Sequence, residues 1–412
     1  MTDTFDLDLT AMAHGGTALG RHGRQVIFVP YAIPGERVRV RLVDEHARWA
    51  HAVPVEIVQP SPHRVQAPCP YFGLNKCGGC QWQHIDYEAQ VEYKRSVLID
   101  QMARVGGLDV AEVVEDPIGA AQPWHYRNQV QFHVTPEGEL GFLTLDMQRI
   151  FPVKECYIIE PLLDELWEAL DMEWPQLYRL SLRCGAATGE RMAIFELNEY
   201  EDFDIEVDFA VSAVLMLADG EVAVMMGDRS LTEYVAGRDY RISAASSFQV
   251  NTGGTEALVA VVRDYLAARG SETLLDLYSG VGLFALALAP GVGRVVGIEA
   301  DPGAAADYRF NAQGLQAVSL LEGSVEDVLP GVQDRVDLVV LDPPPSGAGE
   351  AVIHDLARLA PERVVYVSSD PATLARDASR LVGAGYHLGR LQLVDLYPQT
   401  FHMESVALFT RV

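Results

Sequence analysis

Three of the five cysteines in this chain of 412 residues lie within twelve positions, at Cys69, Cys77 and Cys80, and Cys156 follows farther along. Four thiolates can hold an iron–sulfur cluster or a tetrahedral zinc ion. The two glycines before Cys80 allow the backbone to bend tightly around such a group. The spacing therefore predicts a metal or cluster site, and buried structural thiols are the alternative.

A disulfide framework is the poorer interpretation of these cysteines. The chain begins MTDTFDLDLT, with neither the basic nor the apolar stretch of a secretion signal. We therefore expect a cytoplasmic protein with reduced thiols. Cys184 has no cysteine near it in sequence and is predicted to be an ordinary buried thiol. No apolar run approaches the roughly 18 residues of a membrane span, so no membrane association is predicted.

A glycine-rich turn forms a second candidate site. The segment LLDLYSGVG places Asp276 and Tyr278 just before Gly280 and Gly282, between a predicted strand and a predicted helix. Glycines at such a turn let a ligand approach the backbone. The pattern alone is a weak signal, because NAD-binding proteins share it.

Carboxylates around this turn favour S-adenosylmethionine over NAD as the ligand. Glu299 ends the next predicted strand, where an acid typically accepts ribose hydroxyls in proteins that bind either cofactor. Asp276 lies where it could meet a cationic ligand such as a sulfonium. Asp342, followed by two prolines, supplies a rigid acid at the end of the fourth predicted strand and suits a methyl-transfer site.

The elements that must position these residues fall into three regions of a mixed β and α/β fold. Short valine- and isoleucine-rich segments in residues 1–60 predict a small barrel of the oligonucleotide-binding type. Residues 61–88 and 118–245 predict a central β-rich domain that contains the cysteines. Alternating strands and helices predict a doubly wound, Rossmann-like domain from 246–412, to which the helical segment in 89–117 is assigned.

The net charge of −27 is unusual for a protein that binds nucleic acid, because such proteins usually show a basic footprint. The excess is uneven, since residues 1–60 are close to neutral, and we interpret the acidic run at 199–208 as a solvated strand face or loop. Arg37, Arg39 and Arg41 fall on one face of a predicted strand. They could follow phosphates or simply make an exposed face soluble.

Taken together, these segments resemble the RNA uracil-C5 methyltransferase family, which makes 5-methyluridine in tRNA and ribosomal RNA. The resemblance covers nearly the whole chain. The segment HGGTALGRHGRQVIFVPYAIPGERVRVRL is similar to that family's TRAM domain, an RNA-binding barrel. The segment CPYFGLNKCGGCQWQH, together with Cys156, resembles its 4Fe-4S site, which makes zinc the second choice.

The resemblance also implies roles for single residues. The segments SFQVNTGG, YRNQVQF and LYPQTFHMESVALF imply that Gln249 contacts the cofactor, that Arg127 lies near the target base and that Glu404 is the general base. The residues implied to line the S-adenosylmethionine pocket are Tyr278, Glu299 and Asp342.

The nucleophile position departs from the family pattern. The family has a cysteine in a Tyr-Val-Ser-Cys-Asn-Pro segment, whereas this chain reads YVSSDP, so Ser369 and Asp370 replace cysteine and asparagine. Pro345 replaces the arginine that usually follows Asp-Pro-Pro. A cysteine thiolate adds to C6 of uracil and thereby activates C5, and a serine hydroxyl is far less acidic than a thiol.

Three functions are open from the sequence. The chain is predicted to be an S-adenosylmethionine-dependent RNA methyltransferase, a relative that binds RNA without catalysis, or a methyltransferase for a substrate other than RNA. The intact cofactor motifs favour methyl transfer, with tRNA or ribosomal RNA as partner, and nothing indicates a protein partner. A positive groove joining the barrel to the site near Glu404 would support RNA, whereas a uniformly negative one would support the third function.

Overall fold

The computed structural model describes residues 4–170, 177–198, 208–218 and 220–412. The predicted acidic strand face or loop at 199–208 lies outside these residues, apart from Asp208. Within the described ranges, no helix combines the length and the apolar character needed to cross a membrane.

The N-terminal strands form a closed barrel in the order β1-β2-β3-β5-β4, which confirms the predicted barrel. Its strands are β1 (Thr4–Met12), β2 (Ala18–His22), β3 (Gln25–Val29), β4 (Arg37–Glu45) and β5 (Trp49–Gln59). Alternate side chains such as Leu7, Leu9, Val38 and Val40 are buried inside the barrel. This alternation follows because successive side chains of a strand point to opposite faces.

A long helix, α1 (Tyr87–Arg104), connects the cysteine segment to the rest of the chain. Asp86 caps its first turn by accepting a hydrogen bond from the backbone N–H of Ala89. The apolar side chains of Leu98 and Met102 share one core with the last helix of the chain. The predicted helix is therefore confirmed, and it packs against the C-terminal domain.

A mostly antiparallel sheet of seven strands forms the centre of the molecule, in the order β12-β11-β10-β9-β6-β7-β8. Its elements are β6 (Gln129–Val134), β7 (Leu140–Leu143), β8 (Ile150–Pro152), α2 (Pro161–Ala169), β9 (Leu177–Cys184), β10 (Arg191–Leu197), β11 (Ser212–Leu217) and β12 (Val222–Met226). Leu163 and Leu166 of α2 pack into the same core as Leu180 and Leu182 of β9.

The C-terminal sheet has the order β17-β16-β15-β18-β19-β21-β20, with β21 antiparallel to both of its neighbours. Its strands are β15 (Thr273–Leu277), β16 (Arg294–Glu299), β17 (Val318–Glu322), β18 (Leu338–Leu341), β19 (Arg363–Ser368), β20 (Tyr386–Val394) and β21 (Glu404–Arg411). Its helices are α3 (Thr252–Leu266), α4 (Leu283–Leu288), α5 (Pro302–Asn311), α6 (Val325–Val328), α7 (Gly349–Leu359) and α8 (Pro371–Gly383). The strand order reverses between β15 and β18, where doubly wound sheets bind their ligands.

A separate hairpin, β13 (Ser230–Val235) with β14 (Arg238–Ser243), lies within the stretch predicted for the central domain. Its buried side chains nevertheless share a core with α3 and β15. Arg241 Nε donates to the fully buried Asp307 of α5 at 2.7 Å. The hairpin is therefore fixed to the C-terminal sheet.

The loop between β20 and β21 is held by two other parts of the chain. Lys94 of α1 donates to Asp395 at 2.7 Å, and both side chains are fully buried. The hydroxyl of Tyr126, just before β6, donates to the carbonyl oxygen of Pro398 at 3.0 Å. This loop leads directly into Glu404, so these contacts determine where that side chain lies.

Candidate active site

Three predicted cofactor residues meet at one edge of the C-terminal sheet. Tyr278 follows β15, Glu299 ends β16 and Asp342 follows β18. The carboxyl ends of neighbouring parallel strands lie at the same edge, which brings these residues together. The backbone N–H of Gly280 donates to Glu299 Oε2 at 2.7 Å and so joins the glycine turn to the second strand.

The glycine turn has a strained backbone that only certain residues tolerate. Tyr278 has a φ of +62°, which is uncommon for a bulky residue, and its hydroxyl donates to Glu326 at 3.0 Å. Gly282 has a φ of +97°, and a Cβ there would lie 3.0 Å from Leu286. Such strain is concentrated at functional sites, which supports the predicted binding turn.

Asp276 lies beneath this turn and is buried. Its Oδ2 accepts a hydrogen bond from the backbone N–H of Ala285 at 2.9 Å, and its Oδ1 has no partner in the described part of the chain. Burial raises the pKa of Asp276 to about 8. The structure thus shows Asp276 supporting the turn, and its predicted contact with a cationic ligand stays a prediction.

Two carboxyl groups, Asp342 and Glu404, lie beside the cofactor edge, and the Gln249 amide contacts the first of them. Gln249 Nε2 donates to Asp342 Oδ2 at 3.4 Å. Burial, and then the charge of Asp342, raise the pKa of Glu404 well above its usual range, and Glu404 Oε1 has no partner among the described residues. Burial also raises the pKa of Asp342 to about 7. A nearby cation would favour the ionised form of both carboxyl groups.

Ser369 and Glu404 lie at the ends of two paired strands. In the antiparallel pair of β19 and β21, Ser368 lies opposite Ser405, which is the last pair of this ladder. Ser369 directly follows β19 and Glu404 is the first residue of β21, so both residues lie at the same end of this pair. The position of the predicted nucleophile is therefore close in the fold to the predicted base.

A cavity of about 380 Å³ borders Ser369, a volume typical of small-molecule sites. Its lining residues are His14, Arg127, Pro345, Ser369, Asp370, Pro371, Tyr397, Phe401, His402 and Met403. Met403, which lines this cavity, directly precedes Glu404 in the chain. The cavity therefore combines the nucleophile position, a cation and two histidines, and sequence reasoning had not placed His14 in the site.

Arg127 lies between this cavity and a second one that contains the cysteines. Its Nε donates to the carbonyl oxygen of Gln129 at 2.8 Å, and its backbone pairs with Ile159 and Asn251. These contacts fix the half-buried arginine at the junction of the central and C-terminal sheets. Arg127 thus lies on the cavity wall, and its place beside a target base stays a prediction.

The four predicted cysteine ligands line this second cavity, of about 240 Å³, and all are free thiols. Burial raises the pKa of Cys77 to about 12 and that of Cys156 to about 11. No group of three or more cysteine, histidine or acidic side chains in the described ranges is placed to hold one metal ion. Cys184 is buried in β9, as predicted.

Two of the three arginines on the β4 face, Arg37 and Arg39, are paired with acidic residues of the barrel. Arg37 donates to Asp8 at 2.7 Å and Arg39 donates to Asp6 at 2.9 Å, both across the pair of β1 and β4. These guanidinium groups are engaged and do not form a free phosphate track. The alternative interpretation, a strand face made soluble by arginine, fits the structure better.

A different surface has the basic and aromatic side chains expected at a nucleic-acid-binding site, and this surface was not predicted from the sequence. A groove of about 1260 Å³ runs between the barrel and α1 and shares His14 with the Ser369 cavity. Its basic and aromatic lining residues include Arg21, Arg48, Phe28, Trp49 and His51. Within the described part of the chain, no carboxylate forms an ion pair with Arg21 or Arg48. The adjacent Arg48 and Trp49 were the available signal, since interleaved basic and aromatic residues are typical of such surfaces.

Comparison with known proteins agrees with this arrangement. Residues 224–412 match the family model of tRNA (uracil-5-)-methyltransferase. A Streptomyces avermitilis protein described as an uncharacterized RNA methyltransferase is 35% identical, over 99% of this chain and 98% of its own. A Thermosynechococcus vestitus protein with the same description is 34% identical, over 99% and 98%.

A solved structure shares the whole fold. It is that of the Pyrococcus abyssi tRNA (uracil-54, C5)-methyltransferase in complex with S-adenosyl-L-homocysteine. The TM-score is 0.78 at 24% identity, and the match covers 98% of this chain and 100% of that one. The sequence relatives establish the family and the structure establishes the fold. The chain therefore belongs to the RNA methyltransferase family related to the tRNA (uracil-5-)-methyltransferases.

Proposed function

We propose that the protein is an S-adenosylmethionine-dependent RNA methyltransferase that acts on C5 of a uracil base. One observation carries this proposal. Ser369 and the buried Glu404 lie at the same end of the paired strands β19 and β21, with Arg127 on the wall of the Ser369 cavity and Asp342 near enough to Glu404 to affect its ionisation. Methylation at C5 requires such a pair, because one group must add to C6 and another must remove the C5 proton.

S-adenosylmethionine would supply the methyl group as an electrophilic sulfonium. Glu299, at the end of β16, is placed to accept ribose hydroxyls, because each of its oxygens keeps a lone pair beside the hydrogen bond that it accepts from the backbone N–H of Gly280 or Asp301. Burial raises the pKa of both Asp342 and Glu404, and the charge of Asp342 adds to the effect on Glu404. A positively charged ligand at this edge would stabilise both carboxylates, which supports a sulfonium as the ligand.

The residues of the cavity would act in sequence on the uracil. Ser369 Oγ would add to C6 and make C5 nucleophilic enough to accept a methyl group. Arg127 would stabilise the negative charge that develops on the uracil carbonyl oxygen. Glu404 would then take the proton from C5, and the serine would leave as the C5–C6 double bond forms again.

The groove between the barrel and α1 supports RNA over a substrate without phosphates. It presents Arg21 and Arg48, which form no ion pair with the residues that the structure describes, together with aromatic rings, and it shares His14 with the Ser369 cavity. Arginines bind the RNA backbone and aromatic rings stack on unpaired bases. A local basic groove therefore coexists with the net charge of −27. We propose that tRNA or ribosomal RNA is the substrate.

The grouping of four cysteines around one cavity is evidence for a 4Fe-4S cluster that Cys69, Cys77, Cys80 and Cys156 would hold. The four thiols line one cavity, and cysteine thiolates are the usual ligands of iron–sulfur clusters. The cluster would have a structural role, tying the cysteine segment to the central sheet. The backbone N–H groups of Gln81 and Trp82, next to Cys80, donate to the carbonyl oxygen of Gln399 at 3.1 and 3.0 Å. Order in this segment would therefore support the loop that carries Glu404.

The packing of helices and strands supports a division of the chain into three domains. We propose that residues 1–60 form the RNA-binding barrel, that 61–88 with 118–245 form the central domain, and that 89–117 with 246–412 form the methyltransferase domain. The packing of α1 on α8 supports the assignment of 89–117. The β13–β14 hairpin, although encoded in the central stretch, is packed on the methyltransferase domain.

The proposal is tested by mass spectrometry of nucleosides. The purified protein is incubated with methyl-deuterated S-adenosylmethionine and transcripts of tRNA and ribosomal RNA, and the RNA is digested. We expect deuterated 5-methyluridine with the wild type and none with Ser369→Ala or Glu404→Gln. A deuterated methyl group on another atom would contradict the C5 assignment. RNA binding without any methyl transfer would support a non-catalytic relative instead.

A further inference from the structure

A serine at the nucleophile position needs help that a cysteine can dispense with, because its hydroxyl is far less acidic than a thiol. The titratable or charged side chains that border the Ser369 cavity are His14, Arg127, Asp370, Tyr397 and His402. Building on the proposed function, we propose that His14, held by Asp370, is the general base that takes the proton from Ser369 Oγ. The barrel would then contribute a catalytic residue to the methyltransferase site.

His14 lies in a tight turn that is fixed against the catalytic domain. Gly15 and Gly16 form this turn between β1 and β2, with φ values of +88° and +81°. The indole Nε1 of Trp82 donates to the carbonyl oxygen of Gly16 at 2.9 Å. Phe401 packs directly on Gly16, where a Cβ would lie 2.6 Å from it. The turn is therefore seated on the loop that precedes Glu404.

Asp370 determines which nitrogen of His14 carries a proton. His14 Nε2 lies 3.2 Å from Asp370 Oδ2, and Asp370 Oδ1 accepts from the backbone N–H groups of Ala372 and Thr373. Burial acts to raise the pKa of Asp370, but the hydrogen bonds from His14 and Thr373 outweigh it and lower that pKa to about 2. An ionised carboxylate only accepts, so Nε2 donates and Nδ1 is the acceptor of the neutral ring.

This arrangement gives each group a defined role around the serine. Asp370 directly follows Ser369 in the chain, and both residues line the same cavity as His14. A carboxylate that orients a histidine beside a hydroxyl is the general way to activate a hydroxyl nucleophile. Hydrogen bonds to such a nucleophile often tighten only when the substrate binds. Asp370 is thus a positioning residue, and His14 is the group that exchanges the proton.

His402 is the competing base in the cavity. Burial lowers its pKa to about 4, so its ring is neutral near pH 7 and could accept a proton. Within the described part of the chain, its ring makes no hydrogen bond, whereas the His14 ring is oriented by Asp370. The structure therefore favours His14, because a base needs a fixed ring orientation to act on one hydroxyl.

The proposed step balances without any added reactant. Oγ of Ser369 forms a bond to C6, its proton passes to His14 Nδ1, and the C5–C6 electron pair moves towards the carbonyl at C4. C5 would then form a bond to the methyl group of S-adenosylmethionine as the bond between that methyl group and sulfur breaks. Glu404 takes the C5 proton, the electron pair of that C–H bond forms the C5–C6 double bond as the C6–Oγ bond breaks, and His14 returns its proton to the departing Ser369 oxygen.

A double-mutant cycle between His14→Ala and Ser369→Cys tests the inference. Single-turnover methylation of RNA is measured across pH with bound S-adenosylmethionine. We expect His14→Ala to lower the rate by about 10²-fold or more in the serine enzyme. In the Ser369→Cys background the same change should cost less than about ten-fold, because a thiol ionises readily near neutral pH.

Matched variants separate this role from a structural one. His63 contacts Asp86, the N-cap of α1, at 2.7 Å, as His14 contacts Asp370, the N-cap of α8. His63→Ala should leave the rate and its pH profile unchanged. Asp370→Asn keeps a capping side chain but removes the carboxylate. It should lower the rate in the serine enzyme more than in the Ser369→Cys enzyme, with RNA binding retained.

Equal losses from His14→Ala in both backgrounds would overturn the inference, since they would indicate a role in folding or RNA binding. The inference would also be overturned if His402→Ala, and not His14→Ala, showed the dependence on Ser369. If the wild type made no 5-methyluridine at all, the proposed function would fail and this inference with it. If the wild type makes 5-methyluridine but His14→Ala slows the reaction equally in the wild-type and Ser369→Cys backgrounds, this inference fails while the proposed function stands.

Discussion

The cofactor edge and the Ser369 cavity lie at the same end of one sheet but are built in different ways. The cofactor edge takes Tyr278, Glu299 and Asp342 from the ends of three neighbouring parallel strands. The cavity takes His14 from the barrel and Arg127 from the start of the central sheet. The first site is specified by local motifs, whereas the second depends on how three regions dock. Substitutions should therefore affect them separately, except at the group they share.

Glu404 is the residue that joins the two sites, so its replacement should have the largest effect. Glu404→Gln keeps the shape but cannot take the C5 proton, and we expect turnover to fall by about 10²–10⁴-fold. A covalent protein–RNA intermediate should accumulate, which intact-mass spectrometry would detect. Asp276→Asn serves as control, since it should lower methyl transfer without accumulating that intermediate. A Glu404→Gln enzyme with unchanged turnover would show that the two sites are not coupled through this group.

Glu299→Ala should damage the cofactor edge alone. Loss of a charge-assisted acceptor costs about 1.5–3 kcal/mol, which corresponds to a roughly 10- to 100-fold weaker affinity for S-adenosylmethionine. Titration calorimetry measures this change, and RNA affinity should stay the same. Glu322 ends the adjacent strand β17 and pairs with Arg309, so Glu322→Ala is the matched control with no expected effect. Equal effects of the two substitutions would argue against a specific ribose contact.

Arg21→Ala with Arg48→Ala should damage the RNA side alone. The removal of two phosphate contacts to single-stranded RNA should reduce the slope of log affinity against log salt by about 1.4. The binding of S-adenosylmethionine should not change. Arg37→Ala with Arg39→Ala removes the same charge from a face already paired with Asp6 and Asp8, and should have little effect. If the substitutions of Arg37 and Arg39 weakened RNA binding more than those of Arg21 and Arg48, RNA would be bound along β4 instead.

The smallest expected effect is a proton released when S-adenosylmethionine binds. The pKa of Asp342 is raised to about 7 in the free protein, so part of the population holds a proton near neutral pH. A cation favours the carboxylate and lowers that pKa, so binding should release up to about one proton, most between pH 6 and about 7. Calorimetry in buffers of different ionisation enthalpy measures the release, which Asp342→Asn should reduce. Proton uptake would contradict the proposed position of the sulfonium.

The sequence predicted the elements whose patterns are local. The strand endings before Tyr278 and Asp342 follow from apolar runs and the glycine-rich turn, and the structure confirms them. The matching alternation of acids in β1 and arginines in β4 also carried information about their pairing, which became clear only once the two strands were seen together. The role of His14 could not be predicted, because it depends on the docking of a barrel turn on Phe401.

The central claim is that Ser369 forms a covalent bond with the target uracil. RNA that contains 5-fluorouridine tests it most directly, because the fluorine at C5 cannot be removed as a proton is and the adduct persists. The wild-type protein is incubated with this RNA and S-adenosylmethionine and then digested for peptide mass mapping. The account predicts a methylated adduct attached to Ser369 and none in Ser369→Ala. Methylation of normal RNA without any adduct, or an adduct on another residue such as Cys184, would contradict it.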